Sequence, residues 1–189
     1  MMTLHIRPMS INDGILFTAF MDRVDFSHQP NWQGCYCRFY HSGCTYDQWM
    51  KLPKANKRDE ALTMIADGFM HGYLAFDNEQ MIGWLNAGHW ENYLRLAKEL
   101  SKHADLDTAV LICFLIDEKY RNQGIAKKLL AYALEDLSLL GFKRFIAIPH
   151  ATKEVSELNY RGTMHMYEEH GFKSVEELSG QVIMVLDQS

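Results

Sequence analysis

Residues 121–126 read Arg121-Asn122-Gln123-Gly124-Ile125-Ala126. They follow an apolar run, Val110-Leu111-Ile112-Cys113-Phe114-Leu115-Ile116, and lead into an amphipathic segment from Lys127 to Leu140. The apolar run suits a buried strand. Beyond the turn, Ile125, Leu129, Ala133, Leu137 and Leu140 share one face of a helix. A strand that passes through a glycine-bearing turn into a helix makes an anion site. The first helical N–H groups have no partners within the helix, and its dipole favours negative charge there. The first implication is a phosphate-bearing cofactor.

The common nucleotide fingerprints do not fit. No second glycine is spaced for Gly-x-Gly-x-x-Gly, and no Gly-Lys-Ser/Thr follows. Lys127 and Lys128 fall in the first helical turn, where cations slightly oppose the dipole. A bound anion would offset that; solvated surface lysines are the alternative.

Working outward, Leu4 to Met9 alternates apolar and polar residues as a short strand. Residues 11–24 and 56–68 carry helical apolar periodicity, and 28–45 reads as an irregular loop. Gly72–Phe76 and Gln80–Ala87 form a predicted hairpin around Asp77-Asn78-Glu79. Residues 90–107 are polar with a short helical patch. Gly141 caps the helix after the turn, and Phe145–Ile148 is a further buried strand. Met164–His170 is a short helix, and Phe172–Glu177 with Gln181–Leu186 closes a sheet edge. The order implies an α/β fold with a sheet of mixed direction.

A chain of 189 residues suggests one domain, and 48% hydrophobic content supports a sizeable core. The net charge of −5 argues against a broad nucleic-acid surface while leaving room for one basic pocket. No apolar run approaches the roughly 18 residues that span a bilayer. Thr3, His5 and Arg7 interrupt what would be a signal-peptide core, so the expected location is the cytoplasm, with four reduced cysteines.

Tyr120-Arg121-Asn122-Gln123-Gly124-Ile125-Ala126-Lys127-Lys128-Leu129-Leu130 resembles the acetyl-CoA pyrophosphate loop of the GNAT superfamily of N-acetyltransferases, whose pattern is Arg/Gln-x-x-Gly-x-Gly/Ala. Downstream, Met166-Tyr167-Glu168-Glu169-His170-Gly171-Phe172 is similar to the family's Tyr-x-x-x-Gly-Phe ending. The likeness is close over residues 108–186 and looser over 1–9 and 72–87, and the Trp- and Cys-x-Cys-bearing loop resembles one bacterial branch. It implies a GNAT fold over residues 1–189: a mixed, mostly antiparallel central sheet splayed at strands 4 and 5, with flanking helices. Residues 28–60 would be the variable substrate side and 108–186 the acetyl-CoA-binding core.

The resemblance also implies roles. Backbone N–H groups of Arg121, Asn122, Gln123, Gly124, Ile125 and Ala126, with Lys127 beside them, would hold the pyrophosphate. Phe114, Leu115 and Ile116 would pair with the pantetheine arm, as an added strand does. A backbone N–H on that strand would stabilise the oxyanion. Tyr167 aligns with the family's general acid; packing against Phe172 is the alternative. A tyrosine near pKa ~10 giving its proton to a thiolate near ~8.5 goes uphill by about 2 kcal/mol, which favours hydrogen-bond donation over early transfer. The chain departs from the pattern at Tyr160 and Thr163, where many relatives carry Asn and Ala. Asn159, one residue off, is the candidate cofactor contact, and Tyr160-Arg161-Gly162 would wrap the pantetheine or adenine end. The activity implied is acetyl transfer from acetyl-CoA to a small-molecule primary amine, with no nucleic-acid or membrane partner. A homodimer would fit the family's habit. A peptide acceptor and a catalytically weak acyl-CoA sensor are the rivals.

An alkyl amine near pKa ~10.4 is mostly protonated at neutral pH, a penalty of roughly 4–5 kcal/mol, so a base is needed. His89 and Glu91, just past the third strand, are the candidates by position; Asp117 and Glu118 are expected to shape the phosphate turn. Cys35, Cys37, His41 and Cys44 lie within ten residues. They could pack with aromatic neighbours, hold zinc or supply a reactive thiol, and Cys-x-Cys is a tight spacing for zinc. No metal centre is assigned. The aromatics of residues 26–49 could roof a substrate or form a satellite core.

Overall fold

The computed structural model describes residues 2–27, 29–151 and 157–188. Among these residues, seven strands form one sheet in the order β1-β2-β3-β4-β5-β7-β6. They are β1 (Leu4–Pro8), β2 (Gly72–Asp77), β3 (Gln80–His89), β4 (Thr108–Ile116), β5 (Arg144–Ala147), β6 (Lys173–Leu178) and β7 (Gln181–Asp187). Every neighbouring pair is antiparallel except β4 and β5. This is the mixed, mostly antiparallel sheet that the GNAT resemblance implies.

Among the described residues, six α-helices accompany it: α1 (Gly14–Arg23), α2 (Tyr46–Lys51), α3 (Lys54–Ala66), α4 (Ala97–Leu100), α5 (Ile125–Leu139) and α6 (Met164–Glu169). Both faces of the inner strands are apolar because both are covered. Tyr73 and Ala75 of β2 face α5, while Leu74 and Phe76 join Phe17, Phe20 and Ile65 of α1 and α3 on the opposite face. The unforeseen element is α2. Its start is a capping box, in which Thr45 accepts from the Gln48 N–H and Gln48 reaches back to Thr45. The short polar helix has too few apolar positions for its period to be read.

Two features of β4 position everything that follows. First, its pairing with β5 covers only Thr108–Leu111 against Arg144–Ala147, whereas its pairing with β3 runs on to Ile116. The strands part beyond Leu111, and the edge of β4 from Ile112 onward lies open. Second, the β3–β4 register shifts between Asn86 and Ala87, so Ile112 is an inserted bulge residue. Ala109, Leu111 and Phe114 pack toward α5, but Ile112 and Cys113 both turn to the opposite side.

Candidate active site

The loop between β4 and α5 is held by its side chains. Arg121 Nε donates to Ile116 O at 3.2 Å, Gln123 Nε2 to Lys119 O at 3.1 Å, and the Tyr120 hydroxyl to Asp77 Oδ2 at 3.2 Å. Asp117 shapes the turn as expected. It accepts from Arg23 Nη1 at 2.6 Å and from the Lys119 N–H at 3.2 Å. Asn122 (φ 60) and Gly124 (φ 75) are both left-handed. Gly124 is the N-cap of α5, offers no side chain, and no acidic residue follows in the first turn. The N–H groups opening this helix are therefore left for a ligand. A Cβ on Gly124 would meet nothing within 4 Å. Glycine is required here by its φ, with no crowding from the protein's own atoms.

From this loop a cavity of about 1440 Å³ runs along the open edge of β4. Phe114, Leu115, Ile116, Arg121, Asn122, Gly124, Ile125, Ala126, Lys127 and Asn159 all lie on its wall. Gln123 alone of the expected cofactor residues is not on it. Lys127 Nζ pairs with Glu169 at 2.6 Å. The opposite side of the wall is built largely by the turn-rich segment after α1 and by α2, through Phe26, Trp32, Cys35, Cys37, Tyr40 and Trp49, and Tyr160, Thr163 and Met166 add to it from the C-terminal part of the chain. A channel that joins an uncapped helix N-terminus to an unpaired strand edge fits a long arm ending in a pyrophosphate.

The profile of the Acetyltransferase (GNAT) family matches residues 35–172. The chain belongs to the GNAT acetyltransferase family. Acetyl-CoA is the co-substrate of that family. No curated protein matches the chain in sequence. Its fold is similar to that of PaiA N-acetyltransferase from Thermoplasma acidophilum, solved in complex with coenzyme A (17% identity, covering 98% of this chain and 99% of that one, TM-score 0.59). It is also similar to an uncharacterised protein from Bacillus halodurans (14% identity, 97% and 83% covered, TM-score 0.63). A third likeness is to the ribosomal-protein-S18-alanine N-acetyltransferase of Escherichia coli (14% identity, 99% and 95% covered, TM-score 0.57).

Tyr167 is not on the cavity wall: it is buried at 0% exposure next to the wall residue Met166, and its ring packs on Phe172 at 5.1 Å and near Phe114 at 6.5 Å. Its hydroxyl donates to Arg161 O at 2.7 Å. Burial pushes its pKa well above the usual tyrosine range. The site thus raises the barrier to giving up that proton.

His89 and Glu91 are not brought to the cavity, which corrects their candidacy as the base. His89 pairs with Ala109, four residues or about 13 Å along β4 from Cys113, where that strand joins the cavity wall. Its Nε2 contacts Leu106 O at 3.1 Å, and its Nδ1 accepts from the Glu91 N–H at 3.3 Å. Register, which periodicity leaves open, puts the pair at the wrong end of the sheet.

Arg161 is a second correction. It does not wrap a ligand but points inward at 6% exposure. Its Nε donates to the Tyr40 hydroxyl at 3.0 Å, and its Nη1 to Gln181 Oε1 at 2.8 Å. The Tyr40 and Tyr160 hydroxyls are 2.7 Å apart, and both rings line the cavity. This hydroxyl pair could not be read from sequence because 120 residues separate its members.

The cysteine cluster resolves into separate environments. His41 is buried, with Nδ1 2.7 Å from Asn92 O and Nε2 3.0 Å from Asn86 Nδ2, so neither nitrogen is open to a metal. Burial holds its pKa down at about 4. Among the described residues, no group of three or more His, Cys, Asp or Glu side chains could hold a metal ion. Burial pushes the Cys35 thiol up to about 11, opposite to what a nucleophilic thiolate needs. No helix among the described residues is long and apolar enough to cross a membrane.

Proposed function

We propose that this chain transfers the acetyl group of acetyl-CoA directly to a primary amine of a small molecule. The observation that carries the reading is the single cavity that joins the uncapped α5 N-terminus, the open β4 edge and an aromatic lobe. The N–H groups of residues 124–127 hold the pyrophosphate, and the edge of Cys113–Ile116 that faces away from β3 orders the arm. The bulge at Ile112 leaves backbone groups out of the ladder, and an N–H there meets the oxyanion.

Tyr167 keeps its proton and donates a hydrogen bond to the departing thiolate. To do so its hydroxyl exchanges the Arg161 carbonyl for the sulfur. Because burial raises its pKa, donation without full transfer is the lower-energy course.

The lobe on the acceptor side is lined by Phe26, Trp32, Phe39, Tyr40, Tyr46 and Trp49. Several of these rings already carry the protein's own cations: Arg95 over Phe39 at 4.2 Å, Lys57 over Trp49 at 4.4 Å and Arg161 over Tyr40 at 5.1 Å. The lobe therefore suits an apolar or aromatic amine body better than a polycation. The carboxylates on the wall are Asp25 and Glu118. Glu118 stands by the phosphate loop, so Asp25 is the group that meets the ammonium. The roof formed by residues 29–50 favours a small acceptor over a peptide, which needs an open groove.

A panel of aliphatic, arylalkyl and polyamine acceptors with acetyl-CoA tests this, read by thiol release and by product mass. Thiol release that depends on an arylalkylamine supports the reading. Release at one slow rate whatever the amine would instead mark an acyl-CoA-binding protein without transfer.

A further inference from the structure

Acyl transfer as described makes no use of the thiols on the cavity wall. Cys35 and Cys37 come from the turn after α1, and Cys113 from β4. The sulfurs of Cys37 and Cys113 lie 3.4 Å apart, although 76 residues separate them in the chain.

Two independent features bring them together. The bulge in β4 breaks the alternation, so Cys113 faces away from α5 with Ile112. On the other side, Tyr36 (φ 47) and Cys37 (φ 50) are consecutive left-handed residues that are not glycine. Such residues persist only where their surroundings impose the conformation, and they gather at functional sites. Here the Tyr36 hydroxyl donates to Asp22 Oδ1 at 2.7 Å, and Asn86 Nδ2 donates to Cys37 O at 3.2 Å. The strained turn is held where it sets Cys37 against the open strand.

We propose that Cys37 and Cys113 form a dithiol modification site, which a low-molecular-weight disulfide entering the cavity oxidises to an intramolecular disulfide. Cys113 is the more exposed of the two and reacts first. Its thiolate attacks one sulfur of the incoming disulfide. That S–S bond breaks, one half leaves as a thiolate and takes a proton, and the other half stays on Cys113. Cys37 then loses its proton and attacks the Cys113 sulfur, expelling the second half as a thiol. Two protein thiols are oxidised and one disulfide is reduced to two thiols, with no further reagent. The order agrees with the environment. The hydrogen bond to Cys113 and burial push the Cys37 thiol well above its ordinary range, so it keeps its proton until Cys113 has reacted.

The disulfide of CoA belongs to this class of oxidant, and the cavity as read above would deliver its sulfurs to Cys113. The new bond fastens the turn at Cys37 to the strand along which the thioester lies, and acetyl transfer stops until the bond is reduced. Delivery and control of turnover rest on the proposed function; the linkage itself does not.

The test starts from fully reduced protein exposed to glutathione disulfide or to CoA disulfide, read by intact mass and by non-reducing peptide mapping. A mass lower by two hydrogens, a peptide joining Cys37 to Cys113 and reversal by dithiothreitol are expected, with CoA disulfide faster. Cys37→Ser should stop at a mixed disulfide on Cys113. The site is overturned if the wild type stops at the mixed disulfide or links Cys35 instead. It is equally overturned if its thiols react only after unfolding. If the linkage forms but reduced protein acetylates no amine, the proposed function fails and the site stands. Turnover that survives complete linkage overturns the control.

Discussion

The Tyr167 hydroxyl donates to the carbonyl oxygen of Arg161 across 2.7 Å of buried space. Tyr167→Phe should therefore have two separable effects. Removing the donor leaves that buried carbonyl short of a partner, which costs about 1–3 kcal/mol of stability. If Tyr167 also meets the departing thiolate, kcat falls at least tenfold while the Kd for acetyl-CoA moves much less. Denaturant titration reads the first effect and stopped thiol-release kinetics the second. Loss of stability with full turnover would reduce Tyr167 to a packing residue.

The phosphate turn and its helix were legible because their signals are local: an apolar run, a glycine, then a 3.6-residue period. The two GNAT matches around Gly124 and Tyr167 carried the fold for the same reason. What escaped was long-range. The candidate base at His89 and Glu91 failed on register, because β3 pairing sets His89 against Ala109 rather than against the open end of β4. The bulge at Ile112 leaves no sequence signature, yet it decides which way Cys113 faces. Arg161 looked like a ligand contact but is consumed by Tyr40, Tyr160 and Gln181, partners set only by the closed fold.

Gly124 and Gly162 are both left-handed, at φ 75 and φ 80, but their alanine variants should differ. At Gly124 a methyl meets nothing within 4 Å, so Gly124→Ala pays only the backbone strain of about 1–2 kcal/mol. A Cβ there also projects toward the space where the pyrophosphate is proposed to lie, so acetyl-CoA affinity falls as well. At Gly162 the Cβ would sit 2.6 Å from Met166 Cε and 2.8 Å from the Tyr167 ring. Gly162→Ala should lose more stability than Gly124→Ala. Paired denaturation curves and CoA titrations check both, and equal stability losses would contradict the contrast.

His41 makes stability depend on pH. Its pKa is held at about 4 in the folded protein, mainly by burial, against an ordinary value of 6.5. Unfolded chains then bind the proton more readily, so the fold keeps its full stability above pH 6.5 and loses it as pH falls toward 4. The full loss is on the order of 3 kcal/mol. Chemical denaturation of wild type and His41→Gln between these limits checks the sign. The variant's curve should be flatter over that window, and an unchanged slope would place the titration elsewhere.

Asp25 is the remaining acceptor-side expectation. It lies exposed on the cavity wall just past α1, and its carboxylate accepts from the Ser27 N–H at 2.7 Å and the Ser27 hydroxyl at 2.9 Å. Those bonds help to hold the carboxylate in place. An ammonium arriving within about 4 Å gains on the order of 1–4 kcal/mol, depending on how much water stays between them. Removing the charge in Asp25→Asn should raise the KM for the amine roughly tenfold, or about 1.4 kcal/mol. The KM for acetyl-CoA should hold, because the pyrophosphate is proposed to rest on backbone N–H groups of residues 124–127, away from Asp25. Added salt should weaken amine binding in the wild type more than in the variant, since only the wild type has a charge to screen. A variant that shifts both constants equally, or that keeps the wild-type salt dependence, would show that the ammonium is met by another group.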